Sequence, residues 1–102
     1  MNSAFFNGGS KMSYSYPIDP EWTQEEIIDV VNFLALIEDA YESKVNTDDY
    51  AAVYKAFKRI APMKSDENKI YKEFKEVSNY DGYVVTKRFK EAQTANEKTF
   101  KV

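Results

Sequence analysis

Trp22-Thr23-Gln24-Glu25-Glu26-Ile27-Ile28-Asp29-Val30-Val31-Asn32-Phe33-Leu34-Ala35-Leu36-Ile37-Glu38-Asp39-Ala40-Tyr41 is the stretch that decides the fold. It opens with a capping box. The Thr23 hydroxyl can accept from the amide of Glu26, while the Glu26 carboxylate reaches back to the amide of Thr23. Trp22 before the cap and Ile27 after it are spaced as a hydrophobic staple. Ile27, Val30, Val31, Leu34, Ile37 and Tyr41 then recur every three or four residues, the spacing of one helical face. Ile28, Phe33 and Ala35 widen that face, so the helix is expected to be central and contacted from more than one side. It should end near Ser43.

Upstream, Tyr14-Ser15-Tyr16-Pro17-Ile18-Asp19-Pro20 cannot be helical, because each proline restricts itself and the residue before it. An extended lead-in is expected there. Residues 1–11 look foreign to the rest: Asn7-Gly8-Gly9-Ser10-Lys11 directly precedes a second methionine, Met12. They read as a tag or non-native leader, the alternative being that Phe5 and Phe6 dock on the domain. Downstream, Asn46 or Thr47 should cap a second helix, with Asp48 and Asp49 at its positive end and Tyr50, Val53, Tyr54, Phe57 and Ile60 on one face. Pro62 stops it. Ser65 is the expected cap of a third helix, with Asp66 and Glu67 in its first turn and Ile70, Phe74 and Val77 inward. Asn79 can take the left-handed conformation that closes many helices, and Asp81 can cap a fourth helix carrying Val85, Phe89 and Ala92. Beyond Ala95 the apolar pattern fades. The sequence therefore predicts an all-α fold, a compact bundle or irregular array of four helices over residues 12–95, with a frayed tail over 96–102.

Composition agrees with a single domain. A chain of 102 residues has room for one core, and 43% hydrophobic residues with 16% aromatics are enough to fill it. No stretch approaches the roughly 18 apolar residues needed to cross a bilayer, since Ile27 to Ile37 is broken by Asp29 and Asn32. No secretory signal is visible at the start, so no membrane is expected and the cytoplasm is the expected compartment.

The same residues that fix the helices carry a resemblance. Tyr16-Pro17-Ile18-Asp19-Pro20-Glu21-Trp22-Thr23, followed by Glu25-Glu26-Ile27-Ile28, resembles the opening of uncharacterised protein family 0223, small proteins of low-GC Gram-positive bacteria. Ala40-Tyr41-Glu42, Tyr54 through Phe57-Lys58 to Ile60, Pro62, Lys64, and Glu76 through Ser78 to Tyr80 continue the likeness over about residues 12–90. The resemblance implies an all-helical fold and Met12 as the natural start. It implies no activity and no catalytic residues. Lys44 and Asn79 stand where glycine is common in the family. Asparagine tolerates a left-handed backbone better than lysine does, so the first helix is expected to terminate in another way.

Histidine and cysteine are absent. That excludes Ser-His-Asp and Cys-His catalysis, ordinary zinc sites and disulfides. Gly82 is the sole glycine after the leader, so no glycine-rich phosphate loop exists. Any enzyme here would work with carboxylates, lysines and tyrosines alone, and neither catalysis nor a cofactor is expected. Glu38 with Glu42, Glu25 with Asp29, and Asp48-Asp49 could offer oxygen ligands to magnesium or calcium. The plainer expectation is a solvated acidic face on the first helix plus well-placed charges at helix starts.

Charge is uneven along the chain. Residues 21–49 carry nine acidic side chains against Lys44, whereas residues 50–102 carry twelve basic and seven acidic ones. Mutual neutralisation within the fold is the first explanation, complementarity between two copies another. Lys55, Lys58, Arg59 and Lys64, then Lys69, Lys72 and Lys75, then Lys87-Arg88 and Lys90 could meet nucleic acid. Glu73 and Glu76 interrupt them, and the net charge of −3 argues against a dedicated binder. The tyrosines point elsewhere, because phenols are favoured where one end packs and the other hydrogen-bonds at an interface. Tyr41, Tyr50 and Tyr54 fall on inward faces. Tyr71 lies one residue off the Ile70–Phe74 stripe and, with Tyr80 and Tyr83, is expected to frame an exposed patch near Lys58 and Lys64. The sequence thus predicts a small non-enzymatic module that binds a protein partner or itself, as monomer or dimer, with weak nucleic-acid association the alternative and a carboxylate metal site third.

Overall fold

A computed structural model describes residues 14–102; the leader assigned to residues 1–11, with Phe5 and Phe6, and the start at Met12 lie outside the described residues. The elements run α1 (Gln24–Glu42), β1 (Val45–Asn46), α2 (Thr47–Ile60), α3 (Lys64–Ser78), α4 (Gly82–Thr94) and β2 (Thr99–Phe100). The fold is all-α apart from one short antiparallel strand pair, as the periodicity predicts.

Local chemistry sets most of the boundaries. Thr23 Oγ1 accepts from Glu26 N at 3.1 Å, and Glu26 Oε1 accepts from Thr23 N at 2.8 Å, so the capping box is fully formed. Helix α1 closes at Ser43 (φ −147°), with no left-handed residue at Lys44. The chain passes straight into β1, and the side chain of Asn46 caps α2 by accepting from Asp49 N at 2.9 Å. At the end of α3 Asn79 takes φ 68°, and Asp81 then caps α4 through Tyr83 N at 2.9 Å. The three-residue turn lays α4 back along α3. The start of α3 differs from expectation. Glu67 N–H bonds to Met63 O at 3.0 Å, so the helix begins at Lys64 and Ser65 lies inside its first turn instead of capping it.

The core is aromatic. Phe33 of α1 stacks on Phe57 of α2 at 4.2 Å between ring centroids. Tyr50 lies 5.5 Å from Phe33 and 4.7 Å from Phe89 of α4, tying the first helix pair to the second. Val30, Leu34, Ile37, Phe74 and Val85 are fully buried around them. Two expected core positions face outward instead: Ile28 is half exposed, and Val77 is 44% exposed. Helix α3 is rotated, so that Glu67, Tyr71 and Phe74 join Ile70 on its buried face.

The tail over 96–102 does not fray. Asn96 (φ 58°) turns the chain after α4, and Glu97 N–H bonds back to Ala92 O at 2.9 Å. The chain then pairs with β1, Val45 opposite Phe100 and Asn46 opposite Thr99, extended by Thr47 N to Lys98 O at 2.9 Å and Val102 N to Ala40 O at 3.0 Å. Phe100 is 3% exposed and packs edge-on to Tyr50 at 5.3 Å. One buried aromatic and a few backbone bonds hold a segment whose sequence shows no periodic signal.

The lead-in is likewise held down. Tyr14 and Tyr16 set their rings against Phe74, at 6.1 and 5.7 Å, and both hydroxyls donate to Glu38 of α1, Tyr16 at 2.7 Å. Glu38 is therefore buried and phenol-bonded, which corrects the expected solvated acidic face at this position. A carboxylate loses water there only because two phenol donors replace it.

Candidate binding cleft

The sequence places Glu67 one helical turn before Tyr71, and the rotation of α3 turns both inward. Glu67 is 3% exposed, yet its carboxylate accepts from Tyr71 at 2.5 Å, Tyr54 at 3.0 Å and Lys58 Nζ at 2.9 Å. Proton accounting orders what lies behind. A carboxylate can only accept, so the single Tyr71 hydrogen is spent on Glu67. Thr86 must then donate to Tyr71 across 2.9 Å, and Tyr50 must donate to Thr86 across 2.8 Å. The result is a directed chain from Tyr50 through Thr86 and Tyr71 to Glu67.

These interactions set protonation. Burial pushes the Glu67 carboxyl up, but hydrogen bonds from Tyr71, Lys58 and Tyr54 and the charge of Lys58 together bring it below the ordinary carboxylate value. Burial, then the neighbouring Glu67 charge, pushes Tyr54 up to about 12. Tyr50 and Tyr71 are raised as well, chiefly by burial. Glu67 therefore stays ionised and its phenols stay protonated near neutral pH. None of these four groups is therefore poised to exchange a proton near neutral pH, as a general acid or base must be.

Gly82 supports this arrangement. A Cβ at Gly82 would sit 2.4 Å from Cδ1 of Tyr71 and 2.9 Å from Cδ1 of Ile37. The Tyr71 ring cannot swing away without breaking its bonds to Glu67 and Thr86. Alanine normally gains from reduced freedom of the unfolded chain, but here overpacking dominates. Gly82→Ala is expected to lower stability by about 1–3 kcal/mol, read as an earlier urea midpoint.

Above this floor lies a cleft of about 560 Å³ between α3 and α4, lined by Lys64, Asn68 and Tyr71 on one side and Tyr83, Lys87 and Lys90 on the other, with Glu67 and Thr86 at its base. The volume is within the range of ligand-binding clefts, roughly 300–1,000 Å³. Tyr83 is 52% exposed on the rim. Lys90 Nζ lies 5.9 Å from the centre of the Tyr54 ring.

The five residues singled out in the sequence are thus only partly brought together. Tyr83 and Lys64 border the cleft. Tyr71 is in its floor and 4% exposed, which corrects its expected place in an exposed patch, because the rotation of α3 points it at Thr86. Tyr80 belongs to another neighbourhood: it stacks on Tyr41 at 4.7 Å and donates to Glu42 at 2.5 Å, and that hydrogen bond, with burial and the Glu42 charge, pushes it up to about 12. Lys58 points inward to Glu67 and to Pro62 O at 3.3 Å, a positioning role. Glu67 and Thr86 were not singled out in the sequence. The available signal was a carboxylate on the row that continues through Tyr71 and Phe74. Among the described residues Lys58–Glu67, Lys75–Asp81 and Arg88–Glu97 pair within the 50–102 half. Among the described residues no group of three or more acidic side chains could hold a metal ion, and no helix is long and apolar enough to cross a membrane.

Comparison with known proteins gives this framework a family. A family model described as an uncharacterised protein family, UPF0223, matches residues 13–98. A UPF0223 protein of Oceanobacillus iheyensis is 49% identical over 85 residues, covering 83% of this chain and 97% of its own length. One from Staphylococcus haemolyticus is 46% identical over 79 residues, 78% of this chain and 88% of its own. Another, from Streptococcus thermophilus, is 44% identical over 91 residues, 89% of this chain and 94% of its own.

Proposed function

Since the chain belongs to the uncharacterised protein family UPF0223, its relatives' names assign it no activity, and we propose from its own geometry that it is a small cytoplasmic, non-enzymatic module that binds a protein partner along the α3–α4 face. One observation carries this reading. The ring of Tyr83 stands 52% exposed at the rim of a cleft whose buried polar groups are already bonded to one another. An exposed phenol beside a preformed cleft is the composition of an interface hot spot, while a saturated floor offers no group for chemistry. Nucleic acid ranks below a protein because the chain is net acidic and Glu91 also borders the cleft.

The test is capture from cell lysate with the wild type and Tyr83→Ala as parallel baits, quantified by mass spectrometry. The expected result is a protein enriched at least tenfold by the wild type and lost with Tyr83→Ala, at equal bait melting temperature. Identical capture by both baits would remove the α3–α4 face from consideration.

A further inference from the structure

Resting on that reading, we infer that the occupant of the α3–α4 cleft is an acidic segment of a partner protein, bound in extended form along the seam between the two helices. Three observations converge. First, among the described residues Lys64, Lys87 and Lys90 form no ion pair, although all three border one cleft. Lys58, outside the lining, is already spent on Glu67 at 2.9 Å. Glu67 is thereby neutralised, and Glu91 is the remaining acidic side chain in the lining. The rim presents a positive surplus that approaching carboxylates would neutralise, and such complementarity both selects a partner and speeds encounter.

Second, the cleft is long. Its α4 wall runs from Tyr83 to Thr94, and the eleven steps between them, at a rise of about 1.5 Å each, span about 16 Å. An extended peptide rising about 3.3 Å per residue covers that length in about five residues. A single compact anion would leave most of it empty. Third, the lining sets the exposed Tyr83 beside Lys87 and Lys90, and a lysine stem can take apolar contacts next to its charge, which suits apolar side chains alternating with acidic ones. Alternation is what an extended chain provides, since successive side chains point to opposite sides.

The experiment titrates ¹⁵N-labelled full-length protein with a blocked hexapeptide, Glu-Phe-Glu-Leu-Glu-Tyr, following amide chemical shifts at low and at physiological salt. Controls are the same peptide with lysine for each glutamate, and a six-nucleotide oligothymidylate. The expected result is saturable shifts confined to residues 64–71 and 83–94, weakened at physiological salt, with no response to the lysine peptide. Lys64→Glu combined with Lys87→Glu should weaken the peptide at least tenfold without moving the melting temperature. If that variant is unstable, the location of the wild-type shifts decides the matter alone. Absence of saturation, or shifts centred elsewhere, overturns the inference. Tighter binding of the oligothymidylate overturns it in favour of nucleic acid. The same residues shifting on raising protein concentration without peptide overturns it in favour of a second copy of this chain. Should the peptide fail while Tyr83-dependent capture persists, the protein-binding reading stands with a partner of different chemistry.

Discussion

Glu67→Ala is expected to lower the free energy of unfolding by about 3 kcal/mol, measured by urea denaturation followed by circular dichroism. The loss comes less from the ion pair itself than from what is stranded. Tyr71 at 2.5 Å, Tyr54 at 3.0 Å and Lys58 at 2.9 Å all donate to this one carboxylate, and Tyr71 also holds the Thr86 end of the chain from Tyr50. Alanine leaves two phenols and an ammonium group without their acceptor, and a cavity where the carboxylate stood. Glu67→Gln keeps an oxygen for Tyr71 but removes the charge facing Lys58, so it should cost about half as much. The comparison has a pH signature. The carboxyl of Glu67 titrates lower in the folded protein than in the unfolded chain, so its contribution is present above the unfolded value of about 4.3 and is lost as pH falls through the folded one. The gap in urea midpoint between wild type and Glu67→Gln should therefore be full at pH 7 and shrink steadily below about pH 4. A gap independent of pH would mean that the charge is immaterial.

Phe100→Ala is the second large effect, expected at about 3 kcal/mol. Phe100 is 3% exposed, edge-on to Tyr50 at 5.3 Å and 6.0 Å from Phe89. Its removal takes away one wall of the ring cluster that joins α2 to α4. The tight pairing of Val45 with Phe100 prevents the backbone from closing over the hole. Phe100→Leu, which refills most of the volume, should cost about 1 kcal/mol. A free tail at 96–102 would make both substitutions silent, so the urea midpoint separates the two descriptions directly.

Much of the fold is legible in the sequence because it is written locally. Thr23, Asn46, Asn79 and Asp81 each act on backbone groups within a few residues, and each is seen in the role its chemistry suggests. Ser65 fails for the same local reason: a bond from Glu67 to Met63 O starts the helix before it. What escapes sequence reasoning is set by contacts distant along the chain. The strand β2 exists because Val45 and Ala40 supply partners far upstream. The inward turn of Tyr71 depends on Thr86, and the burial of Glu38 on Tyr14 and Tyr16. In both buried carboxylates the acid lies on a helical row with apolar neighbours, yet the phenols that satisfy it lie wholly or partly on other segments. Charge counting along the chain cannot separate such a carboxylate from one in water. Of the cleft, Lys64 and Tyr83 were recognisable in the sequence, because exposed polar positions follow from helix periodicity. Its floor was not.

The strand pair also bears on how the molecule assembles. Pairing within α1–α2 and within α3–α4 joins near neighbours, whereas Val45 and Phe100 are more than half the chain apart. Closing so long a span costs more entropy than closing a helical hairpin, so this contact belongs late in the folding reaction and early in unfolding. Excursions that release only residues 99–102 would admit solvent to Tyr50 while the helices remain intact. The rate at which the Tyr50 hydroxyl proton exchanges would then report that local opening.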